Sequence, residues 1–386
     1  MTHSNQRQAG AKSRTPKYPL WLHAPSGQWC KKVRGHRFYF GTDRDAALAE
    51  YMRVKDDLEA GRTPRPVEPD AMTLHRLVDA FLKDKRSQRD GGEIAARSFA
   101  EYYRSCEMLL DHFGKTIIVN QIRPDDLMGY RRKLSVKRNA NSLGNEVGRV
   151  RVVFNYAFQN GLIDAPVRFG QFKKPAKRVL RRQRAEDGPR MFEAEAIRRL
   201  LDVAGPQLRA MILLGVNCGM GNSDCAKLQF RHLKLNSGWL DFPRPKTGIA
   251  RRCPLWPETV EALRLWLAHR KPPHDEADAD YVFITKYGKA WSVEGSSRNP
   301  ISAEFRKLAT EIGVHKDGCA FYGLRHTFQT VGEEACDSMA VKFCMGHADG
   351  SISDTYRERF PDERLRKVTD HVHTWLFGLI AEGGDS

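Results

Sequence analysis

Apolar residues change their spacing along the chain, and each spacing predicts a different kind of element. Residues 19–42 hold short aromatic-rich runs separated by glycine-containing turns, a pattern typical of antiparallel strands. An alanine-rich helix that ends at Gly61 is expected next, and the Pro-rich residues 61–70 predict a linker. The sequence therefore predicts a small sheet backed by one helix over residues 17–65.

The spacing becomes helical from Thr73 onward. Leu74, Leu77 and Phe81 fall on one face of a helix. Three further amphipathic segments follow, at residues 99–113, 127–134 and 145–163. Four such helices have enough apolar surface to form one compact bundle, which the sequence predicts over residues 72–165.

The C-terminal half is also rich in helical patterns. Residues 194–204 and 207–219 predict helices, and the second is apolar enough to be buried. Two short strand runs flank a loop that contains Lys246, and residues 280–284 predict a further strand. We therefore expect a mixed α+β, mainly helical domain over residues 188–386, in a chain that is multidomain and mainly α.

The chain of 386 residues is strongly basic, with 64 Lys and Arg against 47 Asp and Glu and a formal net charge of +17. This excess favours a polyanionic partner, because neutralised phosphates release condensed counterions, although an anionic membrane surface is an alternative. No apolar run approaches the roughly 18 to 20 residues of a bilayer span, and the N-terminus lacks the apolar core of a signal peptide. A cytoplasmic protein is expected. The eight cysteines match no zinc framework, so no metal is expected.

Basic residues are concentrated between the two larger predicted domains, in a linker at residues 166–187. They are Lys173, Lys174, Lys177, Arg178, Arg181, Arg182 and Arg184. Such a run is either a solvated surface or a segment that follows a DNA backbone and lets both domains close around a duplex; we favour the second interpretation. Residues 1–16, also polar and basic, predict a disordered tail.

A short C-terminal stretch holds an arginine, a histidine and a tyrosine at a distinctive spacing. Arg325 stands in a Leu-Arg-His-Thr-Phe run, His347 follows a glycine, and Tyr356 comes nine residues after that histidine. This spacing resembles that of the tyrosine recombinase (phage integrase) family. Residues 150–163 are similar to the last helix of the family's core-binding domain, the N-terminal strands resemble its arm-site-binding domains, and the resemblance covers about residues 17–365.

The resemblance implies a DNA-cutting reaction that needs no metal, nucleotide or other cofactor. Tyr356 would attack the scissile phosphate and form a 3′-phosphotyrosine, which conserves the bond energy for rejoining. Arg325 and His347 would hold the non-bridging oxygens, where negative charge gathers in the transition state. Lys246 would give a proton to the leaving 5′-oxygen, and His326 would support the neighbouring arginine.

Two of the implied roles have ordinary alternatives. Asp224 corresponds to an acidic residue that supports the active-site arginines, but a carboxylate there is equally typical of a helix N-terminus. Lys246 stands in a Lys-Thr-Gly run, which is also common in turns.

Two positions depart from the family pattern. Gly221 stands where the family has its first arginine, and Tyr322 stands in the position of a histidine. The loss of one charge-assisted phosphate contact would cost a rate factor of about 100 or more. The missing arginine leaves three alternatives. Another arginine near the Lys246 hairpin could supply the charge, or Asn222 and the N–H groups at the start of the following helix could hold the phosphate. In the third alternative the chain binds DNA without cutting it. The candidate arginines are Arg244, Arg251 and Arg252.

The sequence as a whole predicts a site-specific recombinase of double-stranded DNA. We expect a homotetramer that exchanges strands at core sites through a Holliday junction, acting on the nucleoid, with an N-terminal module that binds arm sites or is a structural cap. The alternatives are a non-catalytic DNA-binding protein on the same fold and a relaxing enzyme of the type IB topoisomerase kind. The amphipathic helix at residues 364–382 would pack on a neighbouring protomer or on its own domain.

Overall fold

The structure is a computed structural model that describes residues 18–61, 71–291, 300–347 and 360–378. These residues are mainly helical, with two three-stranded antiparallel sheets, which confirms the predicted fold class. The strands are β1 (Trp21–His23), β2 (Gln28–Val33), β3 (His36–Tyr39), β4 (Leu233–Lys234), β5 (Trp239–Asp241) and β6 (Arg252–Pro254). The helices are α1 (Arg44–Glu59), α2 (Leu74–Asp90), α3 (Ala96–Phe113), α4 (Pro124–Val136), α5 (Ala140–Gln159), α6 (Lys177–Asp187), α7 (Ala194–Val203), α8 (Pro206–Cys218), α9 (Asn222–Lys227), α10 (Pro257–His269), α11 (Pro300–Glu311), α12 (Gly323–Glu333), α13 (Ser338–Met345) and α14 (Asp362–Phe377). In the described ranges no helix is both long enough and apolar enough to cross a bilayer.

Strands β1, β2 and β3 form a meander that packs on α1. Trp21, Cys30 and Tyr39 lie opposite one another across the three strands. Trp29, next to Cys30 in β2, packs against the small core that contains Tyr51 of α1. Because successive strand residues point to opposite faces, the exposed Trp21 and Tyr39 lie on the face away from the helix.

Helices α2 to α5 enclose a second core, and the chain after α5 returns along it. Phe172, which falls in the predicted linker, is fully buried in this core. Its carbonyl accepts a hydrogen bond from Arg151 Nη1 at 3.4 Å, and the carbonyl of Lys173 accepts one from Arg131 Nε at 3.1 Å. The first part of the predicted linker is therefore packed on the helical bundle.

Helix α6 contains the rest of the basic stretch. Gln183 Oε1 accepts a hydrogen bond from Ala140 N at 3.1 Å, which satisfies a backbone donor in the first turn of α5. All seven cations that the sequence singles out in this stretch are exposed. The basic residues thus form a partly helical, accessible surface between the two larger cores.

Helix α8 is the centre of the C-terminal domain. Its residues 210–218 are all buried, and α10 and α12 pack against it. A Cβ at Gly215 would lie 2.9 Å from Leu324 Cδ1, so the glycine allows α8 and α12 to approach closely. This contact brings the end of α8 beside the first turn of α12.

Helix α14 packs on the domain that carries it. Leu365, Val372 and Leu376 are buried there, and Trp256 Nε1 donates a hydrogen bond to the carbonyl of Thr369 at 3.0 Å. Of the two arrangements that the sequence leaves open, residues 362–377 adopt the intramolecular one.

The prediction of a strand at residues 280–284 is wrong. Val282 N donates to Leu228 O, whereas Thr285 N donates to Lys289 O, so the backbone pairs with two separate segments. The result is a pair of isolated bridges instead of a continuous ladder.

Seven of the eight cysteines are buried, and all eight are free thiols. Burial raises the pKa of Cys225 and of Cys253 well above the ordinary value, so that the reactive thiolate is rare at both positions. Cys336, three residues after the end of α12, is exposed.

Candidate active site

Arg325 lies at the centre of the candidate site, in the first turn of α12. The residue is only 2% exposed, and its guanidinium donates hydrogen bonds to the carbonyl oxygens of Gly219 and Met345. These carbonyls lie at the ends of α8 and α13, so Arg325 joins three helices. Burial lowers the pKa of Arg325 to about 10, while the neighbouring Tyr322 raises it, and the group stays charged at neutral pH.

Two glycines in the left-handed conformation bring these helix ends together. Gly219 ends α8 with φ 60°, and Gly346 ends α13 with φ 62°. A Cβ at Gly219 would lie 2.8 Å from the Phe328 ring, and one at Gly346 would lie 2.9 Å from Arg244 Cβ. The carbonyl acceptors were not predicted from the sequence, although a glycine after each apolar helix was an available signal.

His347 follows Gly346 and contacts Arg325 directly. Arg325 Nη2 lies 2.7 Å from His347 Nε2. Because a guanidinium only donates, Nε2 is the acceptor and the ring proton lies on Nδ1. Burial lowers the pKa of His347 to about 4, and the charges of Arg325 and Arg244 act in the same direction. The imidazole is therefore neutral at pH 7.

Stability should depend on pH through this histidine. In the unfolded chain His347 binds a proton near the ordinary pKa of 6.5, whereas in the folded chain it stays neutral down to a pKa of about 4. Protonation of His347 therefore favours the unfolded state. The contribution of the neutral imidazole to the free energy of unfolding is complete above pH 6.5 and is lost as the pH falls toward 4. Urea midpoints between pH 7.5 and 4 should fall more steeply for the wild type than for His347→Gln. Parallel curves would contradict the assignment.

Asp224 is placed for both of the roles that the sequence leaves open. It lies in the first turn of α9, where its Oδ2 accepts a hydrogen bond from Gly221 N at 2.9 Å. The same oxygen lies 3.2 Å from Arg251 Nη1 and 3.8 Å from Arg325 Nη1. The residue is 8% exposed. One buried carboxylate thus caps a short helix and contacts two guanidinium groups.

Arg251 and Arg252 are neighbours at the start of β6, yet they take different positions. Arg251 is 2% exposed and pairs with Asp224. Arg252 pairs instead with Asp241 at 3.3 Å and with Asp362 at 3.0 Å, on the outer side of the strand. Successive residues of an extended strand point to opposite faces. Of these two candidates, Arg251 alone enters the cluster.

Arg244 approaches the same cluster from the end of β5. It is half-buried, and its charge lowers the pKa values of Arg325 and His347. Arg244, Arg251 and Arg325 carry three positive charges against the single negative charge of Asp224, which leaves +2 beside a neutral imidazole. This balance suits an oxyanion ligand such as a phosphate.

Tyr322 packs against Gly221, so the two departures from the family pattern are neighbours. A Cβ at Gly221 would lie 3.1 Å from Tyr322 Cε2. The Tyr322 ring also meets the His326 ring edge to face, with 5.4 Å between their centroids. Asn222 is engaged elsewhere, because its Nδ2 donates to Ser302 Oγ at 2.9 Å.

The other predicted site residues lie at the edge of the cluster or outside the described residues. Lys246 is exposed in the loop between β5 and β6. Tyr356 falls outside the described residues. The pKa of His326 is lowered by burial, then by the charge of Arg190, and third by the charge of Arg184 in α6. Among the described side chains, no three His, Cys, Asp or Glu residues gather as metal ligands would.

Comparison with known proteins assigns the family. The sequence profile of the phage integrase family matches residues 190–363, which include Asp224, Arg251, Arg325 and His347. The tyrosine recombinase XerC of Alcanivorax borkumensis is 24% identical over 246 residues, which are 61% of this chain and 74% of that relative. Residues 190–363 are a phage integrase family domain.

Solved structures of integrases share the fold of this chain. A lambda integrase tetramer bound to a Holliday junction matches with a TM-score of 0.58 and 17% identity, over 90% of this chain and 99% of that one. The integrase of the Tn1549 transposon, in complex with circular intermediate DNA, matches with a TM-score of 0.56 and 15% identity, over 77% and 98%. At these identities the likeness establishes the fold.

Proposed function

We propose that this phage integrase family member is a site-specific DNA recombinase that cuts and rejoins strands through a 3′-phosphotyrosine on Tyr356. The observation that carries the proposal is the buried cluster in which Arg325 contacts His347 and lies 3.8 Å from Asp224. Phosphoryl transfer gathers negative charge on the non-bridging oxygens, and a cluster with a net positive charge would stabilise that charge.

The described residues on either side of the segment that carries Tyr356 support this proposal, because both are linked to α13, whose Met345 carbonyl accepts from Arg325. The segment starts at His347, which is bound to Arg325. It ends at Phe360, whose ring stacks on Phe343 of α13 with 4.6 Å between centroids. Tyr356 lies between these two positions in the sequence, four residues before Phe360.

Cleavage would begin with attack of the Tyr356 phenol oxygen on the scissile phosphorus. The bond from phosphorus to the 5′-oxygen breaks, the phenol proton is lost to solvent, and Lys246 gives a proton to the leaving oxygen. Arg325 and His347 would hold the non-bridging oxygens during this step. A 5′-hydroxyl from the exchanged strand then attacks the phosphotyrosine and releases the enzyme, so the phosphodiester bond energy is conserved.

Exposed basic and aromatic surfaces support a DNA partner. The seven cations of the linker would follow the phosphate backbone, with binding that weakens steeply as salt rises. On the N-terminal sheet, Lys32 and Arg37 are cross-strand partners on the face that also carries Trp21 and Tyr39, which suits an arm site in a groove. A homotetramer on DNA is supported by the lambda integrase tetramer bound to a Holliday junction, which shares this fold. Its proposed place of action is the DNA of the nucleoid.

A non-catalytic DNA-binding protein is the second candidate, and Gly221 is the observation that favours it. With glycine at this position, one charged phosphate contact of the family is missing from the first turn of α9. Such a protein would bind DNA with a strong salt dependence and would form no covalent product. A relaxing enzyme of the type IB topoisomerase kind would instead form the adduct on DNA of any sequence.

Formation of a covalent adduct tests the proposal. The purified protein is incubated with nicked duplexes made from the DNA that flanks its own gene, and SDS-stable protein–DNA products are separated. We expect an adduct with the wild type, none with Tyr356→Phe, and an unchanged adduct with the exposed control Tyr287→Phe. Duplexes of unrelated sequence and an unrelated supercoiled plasmid should give neither adduct nor relaxation. Wild-type DNA binding without any adduct would favour the second candidate.

A further inference from the structure

The two departures from the family pattern lie next to each other. A Cβ on Gly221 would lie 3.1 Å from Tyr322 Cε2 and 3.2 Å from Cδ2, closer than ordinary van der Waals contact. The aromatic ring therefore occupies the space through which a side chain at position 221 would pass. Any charge that replaces the missing arginine has to come from another element of the domain.

Arg251, the residue just before β6, brings a guanidinium to the same place. Its Nη1 lies 3.2 Å from Asp224 Oδ2, and this oxygen also accepts the hydrogen bond from Gly221 N. The Arg251 Cβ is 3.5 Å from the Cβ position of Gly346, the residue before His347. Arg251 is thus adjacent to the backbone of position 221 on one side and to the turn that carries the histidine on the other.

Two of the three nitrogens of the Arg251 guanidinium have hydrogen-bond partners, and the third has none among the described residues. Nε donates to the carbonyl of Phe242 at 2.9 Å, Nη1 donates to Asp224, and the Phe242 ring lies 4.9 Å from Cζ. Nη2 is buried and has no hydrogen-bond partner among the described residues. A buried N–H without an acceptor is unfavourable, and a phosphate oxygen would satisfy it with a charge-assisted bond.

We propose that Arg251 contacts the scissile phosphate in place of the arginine that position 221 lacks. This inference rests on the proposed function and gives Arg251 and Asp224 different roles. Asp224 is a positioning residue, because it holds Nη1 and leaves Nη2 for the ligand. Arg251 and Arg325 together provide two guanidinium groups for the non-bridging oxygens, one from the sheet and one from α12.

A purely structural Arg251 would act only as the counter-ion of Asp224. That role affects the stability of the domain but does not depend on the charge of the DNA. A methylphosphonate linkage, in which a methyl group replaces one non-bridging oxygen, is neutral, so a cation that neutralises the phosphate becomes dispensable on it. A comparison of the two linkages therefore separates the two roles.

The experiment measures single-turnover adduct formation with natural phosphate or methylphosphonate at the cleaved position. Relative to the wild type on the same DNA, Arg251→Met should be slower by about 100-fold or more on phosphate and by less than about tenfold on methylphosphonate. The exposed control Arg264→Met should match the wild type on both. Both linkages are tested with one protein preparation, so any loss of folded protein affects the two rates equally and cancels from their ratio. The double variant Arg251→Met/Asp224→Asn repeats the comparison without leaving the Asp224 carboxylate unpaired by Arg251.

Four outcomes would overturn the inference. Equal losses on both linkages would show a structural role, and an Arg251→Met variant as fast as the wild type would show no role. An adduct with Gly221→Arg/Tyr322→His but none with the wild type would mean that the missing charge is not replaced, while the tyrosine chemistry stands. If neither of these proteins forms an adduct on DNA that both bind, the proposed function itself fails and the inference fails with it.

Discussion

Arg325→Met is expected to slow adduct formation by about 10²- to 10³-fold at saturating DNA. The substitution removes a buried positive charge from the place where the phosphate is expected, and it also frees His347 from its 2.7 Å contact. Arg325→Lys should recover little of the rate, because one ammonium cannot reach two helix-end carbonyls and an oxyanion in the way a guanidinium does. Single-turnover cleavage of the nicked duplex is the measurement.

The control for this prediction is Arg264→Met, which removes an exposed charge from α10. It should leave both the cleavage rate and the DNA affinity near the wild-type values. DNA affinity of Arg325→Met is measured alongside at two salt concentrations, so that weaker binding is separated from slower chemistry. A rate for Arg325→Met within tenfold of the wild type would be incompatible with a phosphate contact by this residue.

Asp224→Asn is expected to lower the free energy of unfolding by about 3–5 kcal/mol. Asparagine keeps the shape of the side chain and an oxygen that can accept from Gly221 N, so the substitution changes mainly the charge. Without the carboxylate, Arg251 and Arg325 are two buried cations with no negative group between them. The Asp224→Asn/Arg251→Met double variant should lose less than the sum of the two single variants, because one of these cations is then absent.

Urea denaturation at pH 7 measures this effect, with Asp241→Asn as the matched control. Asp241 also pairs with an arginine of β6, at 3.3 Å from Arg252, but on the exposed side of the sheet. The Asp241→Asn substitution should lower the free energy of unfolding by at most about 1 kcal/mol, as is usual for surface ion pairs. Similar losses for the two variants would show that burial of Asp224 contributes nothing beyond an ordinary pair.

Much of the architecture could be predicted from local patterns, because those patterns reflect which face of an element is buried. The apolar run at residues 207–219 predicted a buried helix, and α8 is buried along residues 210–218. Residues 280–284 have the composition of a strand as well, but strand formation depends on a partner. That partner is set by tertiary structure, where Val282 and Thr285 bond to different segments.

The same limit applies to the candidate site. The family resemblance implied a common site for Arg325 and His347, whose side chains are 2.7 Å apart. The sequence offered no way to rank Arg251 above its neighbour Arg252, because the register of the β5–β6 hairpin decides which of them faces inward. The contact between Gly221 and Tyr322 joins positions that are about a hundred residues apart, and only the approach of the two helix N-termini in the folded domain reveals it.

The exposure of Cys336 has a practical consequence for work on single molecules. A maleimide dye reacts with an accessible thiolate, and the seven other thiols are shielded inside the native fold. The unmodified sequence should therefore accept one fluorophore per chain, at a position just beyond α12. The number of photobleaching steps on one immobilised duplex would then count the protein chains assembled on it.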